Sequence, residues 1–301
     1  MSDLMFSRDE VSLSETTNVK TGAKSVLYYY WGAGRRDEDD QLFFGTIDGS
    51  PSEHTIEQIN DVLEEVPNER IFFPLPVPWF FANTSVTVAN EWLDDAPGWH
   101  IKRPWFTHIV DCAGGTPTVV AHWFAIEVKM LERLARHPPH PNIVKYHGCR
   151  VRNGRVTGIY LGHLDGDNLW DHVSAGKKPI DKEPFLAALE SAIRHLHDVV
   201  GIAHNDIQPF NILVSPEGTP TLIDLGSSEL IGERISQCRM YSTWGEDPAD
   251  VEREAAGIAE HPVSTKSRDL AALNKLRTWL DNPVHPWAAL RAKLSDADSE
   301  A

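Results

Sequence analysis

Cysteine is scarce in this chain: 301 residues carry three, at positions 112, 149 and 238. An odd number without paired spacing gives neither a disulfide framework nor a zinc site, and it favours a reducing compartment. No apolar run reaches the roughly 18 residues that a membrane span requires. Met1 to Lys24 is polar and has no apolar segment of the kind a secretory leader carries. The expectation is an intracellular protein, cytoplasmic or nuclear. Positive charge is also short: 28 Lys and Arg stand against 44 Asp and Glu, a formal net charge of −16. A surface of that sign repels phosphate backbones and anionic lipid, so neither nucleic acid nor membrane is expected as a partner. A glycine-rich phosphate cradle is missing too. Gly32 and Gly34 form a lone G-x-G with no third glycine, a pattern more often found in a turn between strands. His137-Pro138-Pro139-His140 has two prolines and no further ligands, so it reads as a loop and not a metal site.

What is present is concentrated between positions 204 and 226. His204-Asn205-Asp206 is followed by Asn211 and then by Asp224-Leu225-Gly226. An aspartate beside an attacking hydroxyl can take its proton, while an amide oxygen and a second carboxylate can hold Mg²⁺ against a moving phosphoryl group. Mg²⁺ suits such a set because it takes few protein oxygens and keeps much of its water. Ile212-Leu213-Val214, a turn at Ser215-Pro216-Glu217-Gly218, and Thr221-Leu222-Ile223 read as a hairpin. Asn211 enters its first strand and Asp224 leaves its second. Upstream, Phe185, Leu186, Leu189, Ala192, Ile193 and Leu196 recur at three- and four-residue steps, which predicts a buried helix ending near His197-Asp198.

The five-residue step from Asp206 to Asn211, with D-L-G standing for D-F-G, resembles the catalytic loop and metal motif of protein kinases. The resemblance implies an α+β, two-lobed protein kinase-like fold with a small sheet-rich N-lobe and a shortened helical C-lobe. It also implies ATP and Mg²⁺ as cofactors, Asp206 as base, and Asn211 and Asp224 as metal ligands. Asp269, in Ser267 to Leu273, looks like the buried helix aspartate that supports the catalytic loop. Glu127 opens a helical pattern that runs into His140-Pro141-Asn142-Ile143-Val144, similar to the segment after the glutamate-bearing helix of kinases. Glu132 lies five positions on, about 140° round the helix, so only one of the two can face the cleft. Lys102, in Trp99-His100-Ile101-Lys102-Arg103-Pro104, is the lysine that would pair with Glu127, with Arg103 as its rival. The strand Val156 to Leu161 leads to a hinge in which Leu161 backs the adenine pocket. The backbone of Gly162, His163 and Leu164 would read the adenine edge, and Leu213 would lie beneath the ring.

Several positions depart from the family pattern. The H-R-D arginine is Asn205, which argues against control by activation-loop phosphorylation. Gln208 stands where Ser/Thr kinases carry a lysine that contacts the transferred phosphate, and an amide cannot neutralise charge. No A-P-E follows Asp224. The combination of Lys102-Arg103-Pro104, His140 to Val144, Tyr146-His147-Gly148-Cys149 and His204 to Asn211 is closest to a fungal family of divergent protein kinase-like proteins.

The expected organisation is a mobile N-terminal tail over 1–24, then an extension over 25–98 that packs on the small lobe. A kinase-like N-lobe spans 99–161, a C-lobe 162–290 and an acidic tail 291–301. Within the extension, a hairpin joins Val26–Trp31 to Gln41–Phe44, a helix runs from Thr55 to Val66, and the proline-broken run Ile71–Phe81 drapes in extended form. Three functions are open: transfer of the ATP γ-phosphate to a protein Ser or Thr hydroxyl, a pseudokinase that binds or scaffolds an unidentified protein, and a small-molecule phosphotransferase of the aminoglycoside type.

Overall fold

The computed structural model describes residues 11–17, 24–33, 40–65, 73–74, 86–89, 98–104, 118–152, 154–235, 244 and 262–285. The aromatic-rich run after Lys24 forms the predicted hairpin. Strands β1 (Ser12–Thr17), β2 (Lys24–Ala33) and β3 (Asp40–Asp48) pair antiparallel, with Ser12 opposite Tyr29 and Tyr29 opposite Phe44. Residues 12–17 thus belong to a sheet, where the sequence suggested a tail. The open edge of β2 supplies their backbone partners, and Val11 beside them packs on the cluster formed by Val26, Tyr28 and Ile59.

Helix α1 (Ile56–Val62) starts at Thr55. The Thr55 side chain accepts from the Gln58 N–H, and the Gln58 carboxamide accepts from the Thr55 N–H at 2.8 Å, a reciprocal cap. The helix stops four residues short of Val66 because Leu63 is extended and β4 (Glu64–Glu65) pairs with Phe43 and Phe44 of β3. Backbone pairing at the sheet edge outweighs one more helical turn.

A second sheet is built around β8. Strands β5 (Phe73–Pro74), β6 (Trp99–Lys102) and β7 (Tyr146–Arg152) all pair antiparallel with β8 (Arg155–Gly162). The register sets His100 opposite Leu161 and Lys102 opposite Ile159. Phe73 and Pro74 are the described part of the proline-broken run; the rest of Ile71–Phe81 lies outside the described residues. With β5 in this sheet and Val88 bridged to Cys149, the segment before residue 99 contributes to the sheet itself. Helix α2 (Thr118–Leu134) covers it, with Val128, Met130 and Leu131 fully buried.

The rest is mainly helical. After β9 (Asp167–Asn168) come α3 (Leu169–Ser174) and α4 (Lys182–His195), which buries Phe185, Leu186, Leu189, Ala192 and Ile193 at the predicted spacing. A π-helical turn, Leu196–Val200, follows and ends at Gly201, whose φ of 79° suits glycine. Short strands β10 (Ile202–Ala203), β11 (Ile212–Val214), β12 (Pro220–Leu222) and β13 (Glu229–Leu230) follow; β11 pairs with β12 and β9, and β10 with β13. Helix α5 (Lys266–Trp279) is capped by Thr265 and buries Asp269, Ala272, Leu273, Leu276 and Trp279. Trp279 packs edge-on against Trp244 at 5.9 Å and tilts over Trp170 at 6.4 Å. One apolar cluster runs from α2 through β7 and β8 to α4, β11, β12 and α5. The catalytic-loop sequence, residues 204–211, lies between elements anchored in that cluster.

Candidate active site

Between Ala203 and Ile212 the sequence forms no strand ladder, so its backbone needs other partners. A buried carboxylate on α5 supplies them. Asp269, fully buried, accepts from the His204 N–H at 2.7 Å, the Asn205 N–H at 2.8 Å and His197 Nε2 at 2.8 Å. Asn205 has a φ of 63°, left-handed backbone that asparagine tolerates better than most residues. Its amide nitrogen donates to the carbonyls of Ala203 and Ser227 and to Ser264 Oγ, at 3.1–3.2 Å. At Asn205 a buried, neutral amide thus ties the loop to Ser227 and Ser264. His204 reaches the other way, with Nε2 3.0 Å from the Ile223 carbonyl, joining the loop to the residue before Asp224.

Asp206 projects from this pinned loop. Gln208 Nε2 donates to both its carboxylate oxygens, at 2.9 and 3.1 Å. Asn211 Nδ2 donates to the Asp206 carbonyl at 2.9 Å and to its Oδ2 at 2.8 Å. Burial pushes the Asp206 carboxyl up to about 6, a rise opposed by His204 and reinforced by the Asp224 carboxylate. With its nitrogen committed to Asp206, the Asn211 amide has its oxygen left as the group able to meet a cation.

Asp224 caps a short 3₁₀ turn, Leu225–Ser227, from a left-handed backbone with φ 63°. Its Oδ1 accepts the Gly226 N–H at 3.0 Å. A Cβ on Gly226 would lie 2.9 Å from that same oxygen, so a larger residue there would push the Asp224 carboxylate aside. Lys102 joins β6 to α2 and to the turn after β12, with Nζ 2.7 Å from Glu127 Oε1 and 3.0 Å from Asp224 Oδ1. Burial acts to lower the Lys102 pKa, yet the Asp224 and Glu127 carboxylates overcome it and hold the ammonium above the ordinary lysine value. Burial acts to raise the Asp224 pKa, and Lys102 with the Gly226 N–H reverses this to a net lowering. Glu127, only 5% exposed, is pushed up to about 7 by burial in spite of Lys102. The Asp224 carboxylate is 41% exposed, so it borders solvent.

Lys102, Glu127 and Asp224 therefore meet directly, as do Asp206, Gln208 and Asn211. Leu161 is buried at the end of β8, and Leu213 is partly buried on β11 directly after the catalytic loop. Two N–H groups of the segment 162–164 have partners within the protein. The Gly162 N–H is taken by the Lys145 carbonyl at 2.8 Å and the His163 N–H by the Gly98 carbonyl at 2.9 Å. The Leu164 N–H has no backbone acceptor among the described residues. A cavity of about 720 Å³ lies beside this hinge, lined by Ile143, Val144, Tyr146, Gly162, Leu164 and Thr221 among others. Lys102, Glu127, Asp206 and Asp224 are not among its lining residues, so it is separate from the charged cleft.

Among the described residues no group of three or more His, Cys, Asp or Glu is gathered to hold a metal by protein alone. A pair of oxygens, from Asn211 and Asp224, suits a cation completed by water and phosphate. Sequence reasoning missed the role of Glu132 as a buried hydrogen-bond acceptor. It also missed the Asn205 hub, since a substituted arginine does not announce a buried amide.

Residues 119–245 match the family model for the protein kinase domain. The match covers under half of the chain and includes Glu127, Asp206, Asn211 and Asp224, while Lys102 and Asp269 lie outside it. The chain is similar to mitogen-activated protein kinase kinase 3 of Arabidopsis thaliana, 28% identical over 117 residues, which is 37% of this chain and 22% of that protein. It is also similar to the serine/threonine-protein kinase CHK1 of Saccharomyces cerevisiae, 35% identical over 89 residues, 29% of this chain and 17% of the relative. A probable serine/threonine-protein kinase HAL5-like of Eremothecium gossypii is 41% identical over 96 residues, 30% of this chain and 14% of the relative. The matches thus span less than a quarter of these relatives' lengths. They support a protein kinase-like chain. No helix among the described residues is long and apolar enough to cross a membrane.

Proposed function

We propose that the chain is a divergent protein kinase-like phosphotransferase that moves the γ-phosphate of ATP to a protein Ser or Thr hydroxyl. One observation supports this above others: Lys102 lies within 3.0 Å of both Glu127 and Asp224, while Asp206 stands on a loop whose backbone is pinned by Asp269. Lys102 would orient the nucleotide phosphates, and Glu127 would hold Lys102 in place. Asn211 and Asp224 would hold Mg²⁺, which when bound neutralises charge on the transferred group. Asp206 would accept the hydroxyl proton; with a carboxyl near 6 it is ionised at neutral pH. Gln208 would offer the phosphoryl group a neutral donor in place of a lysine. The motif set resembles most closely a fungal family of divergent kinase-like proteins, and an intracellular setting fits the cysteine usage.

A pseudokinase reading has its own support. Gln208 and Asn211 already occupy both oxygens of Asp206, and the sequence offers no glycine-rich phosphate loop. Such a chain would bind or scaffold a partner protein with weak nucleotide affinity. The relatives named above are protein kinases, which favours a protein acceptor over a small molecule.

The test is thermal stabilisation by Mg·ATP, followed by phosphate transfer to protein and peptide acceptors, in the wild type and in Asp206→Asn and Asp224→Asn. Stabilisation in the wild type, lost in Asp224→Asn, with transfer lost in both variants, is expected for the enzyme. No stabilisation of the wild type defeats the enzymatic reading. Stabilisation without turnover on any acceptor selects the pseudokinase.

A further inference from the structure

Glu132 is a buried carboxylate that the proposed chemistry does not use. It is 4% exposed and accepts three hydrogen bonds: from the Thr87 N–H at 2.5 Å, from Thr87 Oγ1 at 2.9 Å and from the Tyr146 hydroxyl at 2.7 Å. A charge withdrawn from water persists only with donors of this kind around it. Two of the three come from a residue 45 positions upstream. The short segment 86–89 that carries it is also fastened to β7. The Cys149 N–H donates to the Thr87 carbonyl at 2.7 Å, and the Ala89 N–H to the Cys149 carbonyl at 2.9 Å. Gly148 makes room for this approach: its φ is 116°, and a Cβ there would lie 2.9 Å from the Thr87 oxygen and 3.0 Å from the Ala89 nitrogen. Val88, between the two anchored residues, is 57% exposed. Polar contacts, together with Val86 packed against the core cluster, seat the segment.

We propose that Thr87 is a positioning residue for the nucleotide site: through Glu132 it fixes the rotation of α2 and thereby keeps Glu127 against Lys102. This rests on the kinase-like reading for what Glu127 and Lys102 do with a nucleotide. The two glutamates stand about 140° apart on one helix. Glu127 is tied to the cleft and Glu132 to the segment before the sheet, so neither end of the attachment can turn without straining the other. A helix freed at Glu132 would settle where that carboxylate meets water, carrying Glu127 away from its 2.7 Å contact with Lys102. Displacements of about 1 Å in positioning groups are enough to weaken a site strongly.

The experiment compares the full chain with Thr87→Val, which removes the hydroxyl donor at nearly constant shape, and with Glu132→Gln. Each is made alone and in a Glu127→Gln background. Mg·ATP affinity and amide hydrogen exchange are the readouts. Each single variant should weaken Mg·ATP binding about tenfold, the scale of one hydrogen bond to a charged group. Each should also speed exchange across residues 118–134 while leaving residues 202–222 unchanged. In the Glu127→Gln background, adding Thr87→Val should cost no further affinity, because its effect passes through Glu127. Unchanged affinity and exchange in Thr87→Val, or a full additional loss in the double variant, would overturn the proposal. Should Glu132→Gln fail to fold, Thr87→Val alone decides. Should the wild type bind no Mg·ATP, the kinase reading fails separately, and exchange across 118–134 then decides the Thr87 role by itself.

Discussion

The two walls of the cleft are held by different physics. On the catalytic-loop side, geometry is set by backbone: two consecutive N–H groups end on Asp269, the Asn205 amide ties three segments, and His204 links the loop to Ile223. On the opposite side it is set by charge, with one lysine shared between two carboxylates. The first wall is complete without any ligand. The second carries one positive and two negative groups, so its balance changes when a polyanion and a cation enter. Apart from the proposed Mg²⁺ ligand Asn211, side-chain substitutions should therefore affect chemistry or folding on the loop wall, and ligand affinity on the lysine wall.

Asp206→Asn should give the largest effect. Transfer should fall by about 10² to 10⁴-fold, the range of a lost general base, with Mg·ATP affinity changed only a few fold. Single-turnover transfer and calorimetric binding on the same preparation check it; parallel loss of both would place Asp206 on the ligand-holding wall instead. Asp269→Ala comes next and should act on folding. It leaves the His204 and Asn205 N–H groups buried without acceptors, at a cost of roughly 3 kcal/mol in chemical denaturation. Lys102→Met should weaken Mg·ATP by about 10 to 100-fold while leaving exchange protection of residues 202–222 intact, since the loop's partners do not include it.

Much of this was readable in the residues. The hairpin after Lys24, the buried face of α4, and the pairing of Lys102 with Glu127 follow from alternation, three-and-four spacing and motif order. Asp269 was visible too, through its resemblance to the helix aspartate that supports a kinase catalytic loop. The contacts across long separations were not. Thr87 is an unremarkable residue in an extended stretch, and nothing local states that its hydroxyl ends on Glu132. The partners of the Gly162 and His163 N–H groups, the Lys145 and Gly98 carbonyls, depend on how strands β6 and β7 lie against β8 and could not be read locally. The early end of α1 depended on the free edge of β3, which is likewise a matter of tertiary context.

The pH dependence sharpens the contrast between the walls. The folded Asp206 carboxyl sits near 6, above the 3.8 of a free aspartate. A base must be ionised, so kcat/KM should climb with pH up to about 6 and level off above it. The sign for stability is the reverse. A raised carboxyl favours folding fully below the unfolded value, and that contribution is lost as pH rises through about 6. Asp206→Asn should therefore gain in Tm relative to wild type between pH 5 and pH 7. A Tm difference that does not grow over that interval would show that the buried carboxylate carries no such penalty.

The smallest expected effect is the most discriminating for activity. Gln208 donates to both Asp206 oxygens, and those bonds act to lower the carboxyl's pKa. Removing them in Gln208→Ala should move the acid limb of the kcat/KM profile toward higher pH. At pH 7.5, where Asp206 stays ionised, transfer should change by less than about threefold, because a neutral amide contributes little to a charged phosphoryl group. A large gain in transfer would mean instead that the amide holds the base out of reach. A large loss would mean that its donor contact with the phosphoryl group carries much of the rate, and would move it functionally from the loop wall to the ligand-gripping one.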